Sequence, residues 1–227
     1  MLSKTRTIVL HTLKYRESSL IVHTYSREHG RLSLVVNGVR KATPSFPMGW
    51  FQHMSLLEAV LYLPKQSGGL GRLKEAFPLW LSMQQLAQPA KISVLYFMAE
   101  LLYKTRKEET PDHAMFDFIH EALLKLEATA SVRAYALWFL LHYLDCMGLM
   151  PPHEERLLQE LNEQTPYHFD AATAHFLRLL RAAAPPQELP LDTTQRRHLL
   201  EALLFLISEH TTHFDEIRSL SILREIM

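Results

Sequence analysis

Three β-like runs follow one another in the stretch TRTIVLHTLKYRESSLIVHTYSREHGRLSLVVNGVRK, residues Thr5–Lys41. They are Thr5–Leu13, Ser19–Ser26 and Arg31–Val36, and each is rich in Val, Ile, Leu and Thr, which suit a pleated, half-buried surface. The breaks between them are short and polar, and the third run ends at the turn-prone pair Asn37-Gly38. This stretch predicts a tight antiparallel meander, with which a small barrel can begin.

Two more runs complete the β-rich part of the chain, at Ser55–Leu63 and Gly71–Phe77. In the last run Arg72, Lys74 and Ala76 alternate with Leu73, Glu75 and Phe77, which assigns Phe77 to the same face as Leu73. Five short strands within about eighty residues predict a five-stranded OB-type β-barrel. An SH3-like barrel gives a similar pattern, and strand propensity alone does not separate the two.

From about Leu81 the spacing of apolar residues becomes helical. We predict helices at Lys91–Lys107, Asp112–Leu126, Ser131–Met147, His153–Asn162, Ala171–Ala183, Thr193–Glu209 and Phe214–Ile226. Asp170 is a candidate N-cap, and the strongly apolar third helix is expected at the centre of a bundle. The predicted fold class is therefore α+β, with a barrel domain over residues 1–80 and an all-α helical bundle domain over residues 81–227.

The formal net charge is zero, but the charges are unevenly distributed. Through Trp80 the chain carries 11 Lys and Arg against 4 Asp and Glu, a net charge of +7, and the remainder carries −7. Such asymmetry indicates nucleic acid or another polyanion as the partner of the basic half.

Candidate contacts to DNA follow from the basic surface of the predicted barrel. Lys and Arg neutralise phosphates, and aromatic rings stack on bases. The phosphate-binding candidates are Arg31, Arg40, Lys41, Arg72 and Lys74, and Trp50 and Phe51 in the long irregular segment 37–53 are the stacking candidates. The alternative hypothesis is a protein–protein adaptor whose basic barrel docks an acidic partner.

Other classes of protein find little support in the sequence. No apolar run reaches the 18 residues of a membrane helix, and Met1–Leu10 lacks the apolar core of a signal peptide. The single cysteine, Cys146, and scattered histidines supply no four-ligand zinc cluster, and no phosphate-loop or hydrolase motif is present. We therefore expect a cytoplasmic, nucleoid-associated protein without catalytic residues, metal or cofactor.

Several of the quoted residues resemble the bacterial recombination mediator family RecO. The similarity rests on an ordered set near the N-terminus: Ile8-Val9-Leu10, Tyr15 with Glu17, Tyr25-Ser26, Gly30 and the basic segment Gly38-Val39-Arg40-Lys41. The ending SLSILREI (Ser219–Ile226) is also similar to the last helix of the family.

This resemblance implies an OB-fold followed by a helical domain, binding of single- and double-stranded DNA, strand annealing, and help in loading RecA onto strands coated by single-stranded-DNA-binding protein. It implies RecR and the C-terminal tail of that coating protein as partners. Many members carry a four-cysteine zinc site in the helical domain, whereas the corresponding region here, Gly148–Asp170, contains no cysteine. The chain is therefore expected to be a zinc-less variant.

Overall fold

The computed structural model describes residues 1–82, 86, 88–212 and 214–226. Five strands, β1 (Leu2–Tyr15), β2 (Ser19–Ser26), β3 (Gly30–Val36), β4 (Leu56–Tyr62) and β5 (Leu70–Trp80), form a closed barrel in the order β1-β2-β3-β5-β4. Strand β4 pairs back onto β1, and the β3–β5 pair is the parallel one. This order confirms the predicted OB-type barrel and excludes the SH3-like alternative.

Strand β1 serves two neighbours and is longer than the sequence predicted. Its first half, from Leu2 to Ile8, pairs with β4, and its second half pairs with β2 as far as Tyr15. The register shifts between Val9 and His11, which marks a bulge where the strand bends. The bend lets one strand of 14 residues contribute to both sides of the barrel.

The residues of β3 alternate strictly between the barrel interior and its outer side. Leu32, Leu34 and Val36 are buried in β3, while Arg31, Ser33 and Val35 between them are only partly buried. Side chains from β2, β4 and β5 complete an apolar core that also includes Val39 and Phe51. Period-2 alternation was therefore a reliable signal where the pairing is regular.

Seven helices follow in the described part of the chain: α1 (Pro89–Thr105), α2 (His113–Ala128), α3 (Tyr135–Cys146), α4 (Glu154–Gln164), α5 (Ala171–Leu180), α6 (Thr193–Glu209) and α7 (Leu220–Ile226). Asp170 caps α5 as predicted, because its carboxylate accepts a hydrogen bond from the Thr173 N–H at 3.1 Å. Nine of the twelve residues of α3 are buried, as expected for a central helix.

The last helix begins later than predicted. We expected a helix from Phe214, but α7 starts at Leu220. Ile217 and Leu223 are both buried and lie six residues apart. On one continuous helix they would point about 120° apart, so the irregular segment before α7 allows both to be buried.

The chain divides into two compact units, Met1–Leu123 and Leu124–Met227. The first unit contains the barrel, α1 and most of α2, so this division lies beyond the change from strands to helices near residue 81. In the described ranges, no helix has the length and apolar character needed to cross a membrane.

Candidate nucleic-acid interface

Helix α1 packs on the outer face of β1 and contacts β2 through Tyr103. The Tyr103 ring lies 4.9 Å from the ring of His11 and 5.4 Å from the ring of His23. On the next part of the same face, the ring of Phe116 from α2 packs 6.3 Å from that of Tyr25. OB-folds commonly bind oligonucleotides on the face formed by strands 2 and 3. Here that face is occupied by the helices of the same unit.

Arg31, the first of the predicted phosphate contacts, lies under this helical cover. Its Nη1 donates to the carbonyl oxygens of Tyr103 at 3.3 Å and Arg106 at 3.4 Å, and its Cζ lies 4.4 Å from the centre of the Tyr103 ring. Burial lowers the pKa of its guanidinium. The side chain thus binds the C-terminal end of α1, where a cation is favourable, and we leave it out of the proposed DNA surface.

Three histidines lie together beneath α1, a feature that sequence reasoning missed. The ring of His11 lies 6.2 Å from that of His23 and 5.7 Å from that of His53, and the ring of His53 lies 5.1 Å from Tyr96. Burial lowers the pKa of all three, and the Arg31 charge lowers those of His11 and His23 further, so that His23 has a pKa of about 4. The lowered pKa values favour the neutral form of all three imidazoles at neutral pH.

We expect the free energy of unfolding to decrease as the pH falls from 6.5 towards about 4. A histidine whose pKa is lower in the folded state binds fewer protons there than in the unfolded state. Its stabilising contribution is complete above its unfolded pKa and is lost as the pH falls through the folded pKa. Urea unfolding at about pH 7.5 and about pH 4.5 measures this loss.

Carboxylates also titrate in this pH range and change the stability of the wild type. The contribution of the histidines is therefore measured by comparing histidine variants with the wild type. His11→Gln combined with His23→Gln should show a smaller decrease in stability on acidification than the wild type. The exposed His175→Gln on α5 is the control and should behave as the wild type does. An unchanged pH dependence in the double variant would contradict the assignment.

Arg40 and Lys41 are exposed at the end of the barrel where β1 turns into β2. The Arg40 N–H donates to the Ser18 carbonyl oxygen at 3.1 Å, and the Ser19 hydroxyl donates to Asn37 Oδ1 at 3.0 Å. These bonds fix the start of the irregular segment against the β1–β2 turn, which carries its own exposed cations, Lys14 and Arg16. The structure thus places four basic side chains on two adjoining segments.

Arg72 and Lys74 project from the outer surface of β5. Lys74 Nζ lies 3.1 Å from Glu75 Oε1, and this carboxylate raises the pKa of Lys74. The pair is exposed, so it contributes little to stability and can open when a phosphate approaches. A groove of about 460 Å³ runs beside these residues and is lined by Asn37, Ser45, Phe46 and residues 72–77. The irregular segment with Arg40 and Lys41 therefore reaches one side of the groove, and Arg72 and Lys74 line the other.

The two predicted stacking residues belong to a short 3-10 turn, Met48–Phe51. Phe51 is 4% exposed and is part of the barrel core, so its ring is not accessible to a base. Trp50 is half-buried and packs 6.3 Å from the ring of Phe46. Both rings pack against Phe46, and Phe51 also packs into the barrel core. Phe46 is therefore the aromatic side chain of this segment that lines the groove.

The face assigned to Phe77 was wrong. Phe77 is 59% exposed although it was assigned to the face of Leu73, whereas Ala76, grouped with Arg72 and Lys74, is 5% exposed. The register of β4 against β5 shifts between Val60 and Leu61, and this bulge turns both Lys74 and Glu75 outwards. Beyond the bulge the alternation is inverted. An exposed aromatic ring thus follows the two cations of β5.

The histidines and acidic residues that the structure describes do not form a metal site. In residues 1–82, 86, 88–212 and 214–226, no group of three or more His, Cys, Asp or Glu could hold a metal ion. Cys146 is exposed and unbridged.

Comparison with known proteins assigns both parts of the chain. The family described as "Recombination protein O N terminal" matches residues 1–79, and "Recombination protein O C terminal" matches residues 86–219. The DNA repair protein RecO of Phocaeicola vulgatus is 35% identical over 158 residues, which cover 68% of this chain and 64% of the relative. That of Flavobacterium johnsoniae is 30% identical over 241 residues, 98% of each chain, and that of Christiangramia forsetii is 26% identical over 100% of this chain and 99% of the relative. The chain therefore belongs to the RecO family of DNA repair proteins.

Proposed function

We propose that this protein is a recombination mediator in DNA repair that binds DNA on the basic end of its barrel. The observation that carries the proposal is the position of Arg40, Lys41, Arg72 and Lys74, which are all exposed and lie on two segments that flank one groove. Trp50 packs against Phe46, which lines this groove. Family membership supports the role in repair.

The proposed mechanism is electrostatic and needs no catalytic residue. Two DNA strands repel each other through their phosphates, and cations bound to both strands reduce this repulsion. A barrel segment with a net charge of +7 can therefore bind single- and double-stranded DNA and promote annealing. The helical segment, with a net charge of −7, would repel phosphates and is the part proposed to bind proteins.

Two protein partners and a further activity belong to the same proposal. The family resemblance supports RecR and the C-terminal tail of the single-stranded-DNA-binding protein as partners. With them the protein would help to load RecA onto coated strands. This activity would take place in the cytoplasm, on DNA of the nucleoid.

The test is the salt dependence of DNA binding by the double variant Arg40→Ala with Lys41→Ala. Each phosphate contact contributes about 0.7 to the slope of log K against log salt for single strands and about 0.9 for duplex DNA. Loss of two contacts should flatten the slope by about 1.4 and about 1.8, respectively. Fluorescence anisotropy with labelled strands of about 30 nucleotides measures both.

A matched control removes the same charge from the helical segment. Arg156→Ala combined with Arg178→Ala changes two exposed arginines and should leave both slopes unchanged. Equal flattening by the two double variants would show an effect of overall charge and contradict a defined site. No binding by the wild type at low salt would overturn the proposal and favour the adaptor hypothesis.

A further inference from the structure

The usual single-strand face of an OB-fold is partly covered by helices in this protein. The outer residues of β2 and β3 contact α1 and α2, since Tyr103 packs on His23 and Arg31, and Phe116 packs on Tyr25. Unstacked bases need an accessible ring and space beside it. Neither is available where the helices pack on His23, Tyr25 and Arg31, so this part of the face offers no site for a stacked base.

The open part lies along β5. Arg72 pairs with Val35 of β3 and with Tyr62 of β4, which places it between the C-terminal ends of these two strands. Phe77 lies five residues further on, but one of these residues is the bulge, so the distance along the strand is about 13 Å. The bulge between them is what brings Lys74 and the Phe77 ring to the same outer face.

The groove beside β5 has an aromatic residue on each side. Phe46 is fixed by Trp50 at 6.3 Å and by Phe51 at 6.2 Å, so its position is set by the barrel core. Phe77 is 59% exposed on the other side. Glu75 also lines the groove, and its ion pair with Lys74 offsets part of its repulsion of phosphates.

We propose that this groove is the single-strand-selective part of the DNA surface, with Phe77 as the ring on which a base stacks. Arg72 and Lys74, which precede Phe77 on β5, contact phosphates of the same strand on one side of that base. Duplex DNA keeps its bases paired and stacked inside the helix, so it offers phosphates to the cations and no base to Phe77. The inference rests on the proposed DNA binding and adds the discrimination between single strands and duplex.

Phe77→Ala should weaken binding of a single strand between about 5-fold and about 150-fold, the range found for one lost stacking contact. Its affinity for duplex DNA should change less than about twofold, because no phosphate contact is removed. The probes are labelled oligo-dT of about 15 nucleotides and a duplex of the same length, measured by anisotropy at one salt concentration. Phe77→Tyr keeps a ring and should bind as the wild type does.

Leu79→Ala is the matched control, since Leu79 is 52% exposed, lies on the same strand and offers no ring. An abasic strand tests the stacking directly, because wild type and Phe77→Ala should bind it equally. The inference is overturned if Phe77→Ala binds oligo-dT normally, or if it loses single strand and duplex to the same extent. If either result is found and the Arg40/Lys41 variant still flattens the salt slope, the proposed function stands without this inference. If the wild type binds no DNA at all, the inference and the proposed function are both overturned.

Discussion

Gly30→Ala should reduce the free energy of unfolding by about 3 kcal/mol or more, through backbone strain and a steric clash together. Gly30 has a φ of +63°, and an added Cβ would lie 2.3 Å from the Thr110 carbonyl oxygen and 2.7 Å from that of Glu108. Both contacts are with backbone, which cannot rotate away as a side chain can. Relief would require the segment before α2 to move and would break the 2.9 Å hydrogen bond from the Arg31 N–H to the Glu108 carbonyl oxygen.

Gly68→Ala separates the two contributions. Gly68 has a φ of +74°, but nothing lies within 4 Å of an added Cβ. The free energy of unfolding should therefore decrease only by the strain of an alanine in the left-handed conformation, about 1–2 kcal/mol. Urea unfolding of the wild type and both variants gives the difference. Equal losses at the two positions would show that the segment before α2 yields without cost, contrary to the packing described.

Arg31→Ala should reduce the free energy of unfolding by about 2–4 kcal/mol and leave the salt dependence of DNA binding unchanged. The guanidinium donates to two carbonyl oxygens at the end of α1 and lies over the Tyr103 ring. Its removal leaves these buried groups without their cation. If Arg31 instead contacted a phosphate, Arg31→Ala would cause little loss of stability and would flatten the salt dependence of DNA binding.

Arg16→Ala is the control for this prediction. Arg16 also lies over an aromatic ring, with its Cζ 5.1 Å from the centre of Tyr15, but it is exposed. Its loss should change stability by less than about 1 kcal/mol. Urea unfolding and anisotropy titrations on the same preparations distinguish the two roles. A flatter salt slope for Arg31→Ala at unchanged stability would return Arg31 to the DNA surface.

Local patterns predicted the barrel well where the pairing is regular, as it is between β2 and β3. Leu32, Leu34 and Val36 could be assigned to the interior from alternation alone. Arg31 has the same outward position that a phosphate-binding residue would have, and its partners lie 72 and 75 residues later in the chain. Nothing in the sequence near Arg31 indicates that a helix will cover it.

The candidate site was harder to predict because it depends on an irregularity. One extra residue in β5 inverts the alternation, so Phe77 is exposed although it lies an even number of residues from the buried Leu73. Pro78 was a usable signal, since proline within a sheet is confined to edges and bulges. It indicates that β5 is irregular without showing where. Phe51 was misjudged for a related reason, because its burial depends on how a long loop folds back onto the barrel.

The cover over β1–β3 also has a consequence for synthesis of the protein on the ribosome. The barrel is complete in sequence at Trp80, but Phe116, the ring that packs on Tyr25, comes 36 residues later. At about 5–20 residues per second, the ring of Tyr25 stays uncovered for about 2 to 7 s after the last strand has been made. Until α1 and α2 have been synthesised, the nascent barrel exposes an aromatic surface to solvent. We expect its folding without aggregation to depend on chaperones or on rapid elongation through α1 and α2.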